Sequence, residues 1–398
     1  MSSFNDDVDV TVEVAFGDDV YETSPTWVDI TADVRQFSTR RGRSHVLDQM
    51  QAGQALLTVG NSSGDYNPEN TAGTHYPDVK VFNPLRIQAV YNTVTFNLFR
   101  GFVEAWTPQA LPGGFDPTVR VECVDGFRLL AMLEDDLTES AEFSGTRIGN
   151  LLDTAGWPAG WRDLDTGTHM VQALSEEFDS VLGQIHRTVL VEQGLFWVAG
   201  DGDATFRDAN TRIQDKTSAT ASFSDDGADL RYVDLVLSYD DGQLWNKSTV
   251  TRVSTVGVGT SQTASDATSI GEFGERHLHL AETLHVANGE ALALADWLVM
   301  EHKDVRVRVP ELVVKPEDDT DLWPEALGLE LLDRVNVERQ FTGDDFDEDN
   351  HVEGVSHDVR MVGGRSWTTT FQLSPVLPFD DWWILGTSEL GTDTRLGY

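Results

Sequence analysis

The sequence predicts a mainly β fold with α+β insertions: two related, barrel-like β regions and a smaller α+β unit. Three observations predict it. The first 135 residues or so alternate apolar and polar positions in short runs divided by turn-rich segments. The middle changes to a helical period. Alternating runs then resume, and they repeat, faintly, the order seen at the start.

In the first region, "DVTVEVAFG", "WVDITADV", "QALLTVGN", "LRIQAVYN", "VTFNLFRGFVEAW" and "TVRVECVDG" read as strands. "NSSGDYNPENTAG" and "LPGGFDP" supply turns between them, a spacing that suits a barrel or sandwich. In the middle, "SGTRIGNLLDTAG" predicts a short helix starting near Ser144. "SEEFDSVLGQIHRTVLVEQG" predicts another, with Ser175 as N-cap and Gly194 as stop. "LFWVAGDGDATFRDAN" reads as a hairpin. In the last region, "NGEALALADWLVMEHKD" predicts a helix capped by Asn288, with Leu292, Ala295, Leu298, Val299 and His302 on one face. The expected division is 1–140, a first barrel; 141–212, the inserted α+β unit; 213–378, a second β-rich barrel-like domain with one helix at about 288–303; and 379–398, a C-terminal docking tail. The repeat sets "PLRIQAV…FRGFVEAW…TVRVECV" beside "LDRVNVE…VEGVSHDV…WTTTFQL", with Gly101 matched to Gly354.

Composition narrows the function. Asp numbers 43 and Glu 24 against 5 Lys and 23 Arg, a formal net charge of -39. A surface of small hydrated carboxylates keeps a protein soluble in concentrated salt, so the chain reads as halophilic. The same field disfavours specific nucleic-acid binding. The single cysteine, Cys123, excludes an internal disulfide and reads as a small core residue. The first residues lack the basic and apolar regions of a secretory signal, and no apolar run is long enough for a membrane span.

Catalytic and metal signals are thin. Asp345, Asp347 and Asp349 have calcium-loop spacing, but Asn350 stands where such a loop needs glycine and Ser356 where it needs glutamate. A solvated hairpin tip is the preferred reading. His277 and His279 share a strand face without a third ligand nearby in sequence. Neither G-x-S-x-G nor a P-loop occurs. Trp106, Trp157 and Trp161 read as core rather than as a sugar platform. No cofactor and no enzymatic activity is expected.

Several segments, taken in order, resemble minor tail proteins of long-tailed siphophages. They are "WVDITADVRQFSTRRGRSHVLDQMQAGQALLTVGNSSGDYNPEN", then Pro84–Ala89, Leu98–Trp106 and Val119–Leu130, "TSIGEFGER", "VEGVSHDV" and "WWILGTSELGTDTRLGY". The resemblance implies a baseplate or tail-tip hub of two β-barrel tube domains with smaller α+β domains. It implies a homotrimer whose six barrels match a sixfold tube. The implied partners are the tail tube or distal tail ring protein, the tape-measure protein and a receptor-binding fibre or tip protein, and the implied location is the virion tail tip. Alternatives are a distal ring or adhesin-carrying tip, an envelope-degrading hydrolase and a glycan-binding module. An acidic channel would repel DNA phosphate.

"RQFSTRRGRSH" gathers four arginines, Arg35, Arg40, Arg41 and Arg43, in an acidic chain. Two readings stand: pairing with acids of the same chain, or contact with the acidic face of a neighbouring subunit. The planar guanidinium fork suits the second, which makes these four the candidate interface residues.

Overall fold

The computed structural model describes residues 2–4, 8–109, 117–209, 211, 218–253, 259–340 and 346–376. Asp345 and the 379–398 tail lie outside them.

The alternating runs become two six-strand sets with one topology. The first set is β1 (Val8–Val14), β2 (Val34–Gly42), β3 (Gln51–Gly60), β4 (Pro84–Tyr91), β5 (Val94–Gln109) and β6 (Thr118–Val124). Its spatial order is β1-β4-β5-β6-β3-β2, all antiparallel. The second set is β7 (Ala221–Ser224), β8 (Asp234–Ser238), β9 (Arg308–Val314), β10 (Arg334–Arg339), β11 (Phe346–Arg360) and β12 (Ser366–Pro375). Its order, β7-β10-β11-β12-β9-β8, is the same sequence of places, with only the β7–β10 pair parallel. The faint repeat is therefore a repeat of fold. Its anchor differs from the expected one: register equates Pro84↔Phe102 with Arg334↔His351, so Val103-Glu104 corresponds to Val352-Glu353.

The two sets join into one sheet. The first half of β11 pairs with β10; the second half, Gly354–Arg360, pairs along the same edge with β2. β2 begins after a short 3-10 turn at Thr31–Asp33, so the strand predicted at "WVDITADV" shrinks to Val28–Asp29, and the arginine stretch is the strand instead.

Alternation decides which side is core. Val8, Val10, Val12, Leu57, Val59, Val119, Val121 and Cys123 point into one apolar cluster. Trp367, Val359 and Trp323 of the second half complete it. At about 25 cal/mol per Å² of apolar surface removed from water, this sharing makes each half depend on the other.

The unit between the sets packs on the second one. Ile148, Leu151, Val181, Ile185, Phe196 and Phe206 share a cluster with Phe223, Leu312 and Phe371. The Ser144–Thr154 helix falls where its period placed it. The next helix is shorter than expected, Val181–Glu192. Its N-cap is Ser180, which accepts from the Gly183 N–H, because Leu174–Ser180 instead pairs as a strand with Glu134–Glu139. Glu192, at this helix end, is fully buried. Burial opposes its charge, but hydrogen bonds from His169, Ser144 and Thr168 hold its pKa down to about 2.

A second α+β unit lies between β8 and β9. Lys247–Arg252, Ser261–Ser265 and His277–Thr283 form a three-stranded sheet covered by the Asn288–His302 helix. That helix starts from Ala287, whose N–H and that of Val286 are taken by the Glu290 carboxylate; Asn288 is its first residue rather than its cap. Ala291 and Leu294 are buried, while Leu292, expected on that face, is exposed. Among the described residues, no helix is long and apolar enough to cross a membrane.

Candidate assembly site: the arginine seam

The arginine stretch lies where the two repeats meet. β2 alternates, so Phe37, Thr39 and Arg41 turn inward while Arg40 stays exposed. Arg41 Nε donates to the Leu98 carbonyl at 3.1 Å and Nη1 to Glu330 Oε1 at 2.7 Å, tying β5 to the second half. Arg43 Nε donates to Glu353 Oε2 at 2.6 Å and Nη1 to the Asp48 carbonyl at 3.1 Å. Glu353 is fully buried, and its other oxygen accepts from Ser374 Oγ.

The backbones approach as closely as the side chains. Gly42 has φ +95°, and a Cβ there would lie 2.2 Å from the Glu353 carbonyl oxygen. Gly354 faces back: its Cβ would meet the Arg43 carbonyl oxygen at 2.8 Å. Both glycines are needed for the crossing. A third contact sits beside it. Asp125, buried, accepts from the N–H groups of Gly53 and Phe127, at 2.6 and 2.9 Å. Burial pushes its pKa up to about 7, against those two N–H groups and the Arg41 charge. The separate segments that carried the sequence resemblance, "RRGR", "QAG", "CVDG" and "VEG", thus converge on one place.

Arg41 and Arg43 therefore face the interior of their own chain and pair with its acids, the first of the two readings of the arginine stretch. Arg40 is exposed and bonds Ser44 Oγ at 2.9 Å; Arg35 is half-buried.

The outer face of the sheet crosses the same seam as a polar groove of about 610 Å³. Register sets its side chains in rows: Thr368, Asp358, Ser38, Leu56 and Glu122 in one, and Thr370, Ser356, Arg40 and Gln54 in the next. Arg40, Arg120 and neighbouring Arg360 oppose Glu104, Glu122 and Asp358. In a chain with 67 acids and 28 bases, this face is balanced.

Chemistry is not concentrated anywhere comparable. Among the described residues no three His, Cys, Asp or Glu side chains are grouped to hold a metal. Asp347 and Asp349 lie on β11, extended rather than looped, and accept from Asn336 and Arg334. His277 and His279 share a face as expected, and each bonds a threonine, Thr249 and Thr251, at 2.9 Å. Trp106 and Trp157 are buried in core. Trp161 carries Arg100, whose guanidinium sits 4.3 Å from the ring centre.

No family model matches the sequence, and no curated protein matches it. The fold does match solved structures. One is the 43 kDa tail protein of prophage MuSo2 from Shewanella oneidensis, at TM-score 0.58 and 14% identity, covering 91% of this chain and 97% of that one. Another is a tail protein from Neisseria meningitidis MC58, at 0.59 and 11%, covering 92% and 96%. A third is the prophage tail protein gp18 from Listeria monocytogenes EGD-e, at 0.52 and 12%, covering 91% and 94%. The class of fold is thus that of prophage tail proteins, over nearly the full length of both partners.

Proposed function

We propose that this chain is a structural virion protein, a tail-tip hub that assembles as a homotrimer below the tail tube. The observation that carries the reading is the duplication: two six-strand repeats of one topology, fused through β2 and β11 into a single sheet. Three such chains offer six related repeats to a sixfold tube and threefold symmetry to a tip protein. The tail tube or distal ring protein, the tape-measure protein and a receptor-binding fibre or tip protein are the partners this position supplies. Arg35 and Arg40, rather than Arg41 and Arg43, are the subunit-contact candidates. The sheet face around Arg40 lines the channel, where hydroxyl, amide and balanced charges let DNA pass with little net force, in place of the acidic repulsion expected from composition. The acidic exterior suits concentrated salt.

A reconstruction of the tail tests this. Three copies in one ring at the distal end of the tube are expected. Six copies would assign the chain to the distal ring instead. Envelope-degrading activity of the purified chain, abolished by changing one carboxylate, would overturn the non-enzymatic role.

A further inference from the structure

The two repeats differ at one sheet edge. In the first, β2 has a partner on each side: β3 of its own repeat and Gly354–Arg360 of β11. Its twin in the second repeat, β8, pairs with β9 alone among the described residues. That open edge is apolar. Val233, Val236 and Tyr239, on β8 or next to it, are 52%, 40% and 70% exposed. Sheets commonly blunt an open edge with charge or proline; an apolar one gains by being paired.

The seam identifies the strand that fits. Val236 stands in the place of Ser38: Ser38 faces Leu56, which faces Glu122, and Val236 faces Glu311, which faces Gln372. Glu122 and Gln372 are twins, each opposite the first residue past the bulge, Ala105 or Gly354. Within the chain, Ser38 lies opposite Asp358. The first-repeat twin of Asp358 is Gln109, each lying five residues past its bulge glutamate. Residues 104–109 of β5 pair with β6 alone among the described residues. One chain thus carries an open β8 and an open half of β5, the twins of the two edges that meet in its own seam.

We propose that these edges join between copies of this chain: β8 of one copy pairs antiparallel with residues 104–109 of the next, Val236 opposite Gln109 and Ser238 opposite Thr107. This rests on the homotrimer reading and names its subunit contact. The join is head-to-tail, so three of them alternate with three seams and close a ring. Tyr239, in the place of Arg41, comes opposite Trp106. Pro108 takes the place of His357. In the seam the Arg43 N–H donates to the Glu353 carbonyl and the Met361 N–H to the Arg35 carbonyl, so every second residue between, His357 included, turns its N–H toward β2. Proline has no N–H, so the junction has one hydrogen bond fewer than the seam and is the weaker of the two.

Cysteine pairing in the full chain tests it. Thr107 and Ser238 would be directly opposed without mutual hydrogen bonds, the closest kind of cross-strand pair. Thr107→Cys/Ser238→Cys should therefore crosslink between chains on mild oxidation and give a three-chain product on a denaturing gel. Cys123, buried and with its thiol pushed up by burial, stays unreactive. A three-chain assembly in native mass spectrometry that gives no crosslink would overturn the junction and leave the trimer standing. Crosslinked products running past three chains would support the junction and remove the trimer. Single chains without a crosslink would overturn both. Val236→Lys checks the edge separately: the site is exposed, so the chain still folds, and self-association should weaken about tenfold or more. Unchanged association would overturn the pairing.

Discussion

Glu104 and Glu353 occupy the same place in the two repeats and live in opposite surroundings. Each follows a valine, and each is the extra residue of a bulge against the third strand of its meander. Glu104 is 42% exposed and meets Arg128 loosely, at 3.5 Å, on the rim of the polar groove. Glu353 is wholly buried and held by Arg43 at 2.6 Å. The difference comes from the neighbours. β11 has β2 across its bulge, whereas β5 has only its own repeat. A duplicated fold can therefore keep a residue and reassign it, from solvent contact to junction, by changing what packs beside it.

Replacing each glutamate breaks the comparison most directly. Glu353→Ala leaves the Arg43 guanidinium buried without its carboxylate and should cost about 3–5 kcal/mol in urea unfolding. Glu104→Ala should cost no more than about 1 kcal/mol. Similar values for both would mean that burial of the pair contributes nothing. Next in size is Gly42→Ala, expected to cost about 3 kcal/mol or more, because backbone strain and the Glu353 carbonyl both oppose a Cβ. Gly227→Ala, also at positive φ (+86°) but with nothing within 4 Å, isolates the strain alone, at about 1 kcal/mol.

Acid should act through buried histidines. Burial lowers His186 and His285 to about 4; burial, then the Arg41 charge, lowers His357 to about 3. These groups fold neutral, so the unfolded chain binds more protons between pH 6.5 and the folded values. Their contribution is present above about pH 6.5 and falls away toward pH 3–4, on the order of a few kcal/mol in total. Asp125, raised to about 7, acts with the opposite sign: its contribution is present below about pH 4 and is lost as pH climbs through 7. Thermal unfolding midpoints measured from pH 8 to pH 4 should fall, and substituting His357 by Gln should flatten the curve. Salt gives the smallest effect. Raising it should erase the Glu104→Ala difference, which rests on an exposed pair, and leave the Glu353→Ala difference nearly intact.

What the sequence reveals ends where contacts become remote. Strand alternation, the Ser144–Thr154 helix and the hairpin of Leu195–Val198 with Ala204–Arg207 follow from neighbours within a few residues, and they are legible. Ser175 misleads because its strand partner Thr138, far upstream in the chain, outweighs a local cap signal. Leu292 misleads because it sits one position past Ala291 and so falls off the buried stripe, on which Ala295, Leu298, Val299 and His302 lie as expected. The seam itself is hidden in one dimension: Arg41 finds its acid 289 residues away and Arg43 finds its own 310 residues away. The resemblance motifs named the pieces of the seam without their adjacency. The repeat was visible as a pattern, but its alignment needed the register, since glycines at 101 and 354 do distinct jobs.

The pairing of β2 with β11 has a consequence for biosynthesis. As the chain leaves the ribosome, β3 follows β2 at once and zips onto one edge. The other edge waits for Gly354–Arg360, more than three hundred residues later. Throughout that interval a nascent chain carries an open row of amides and carbonyls, the kind of margin on which strands from other molecules can add. Docking of the β11–β12 hairpin closes it, so the molecule reaches its protected state only after that hairpin has been made.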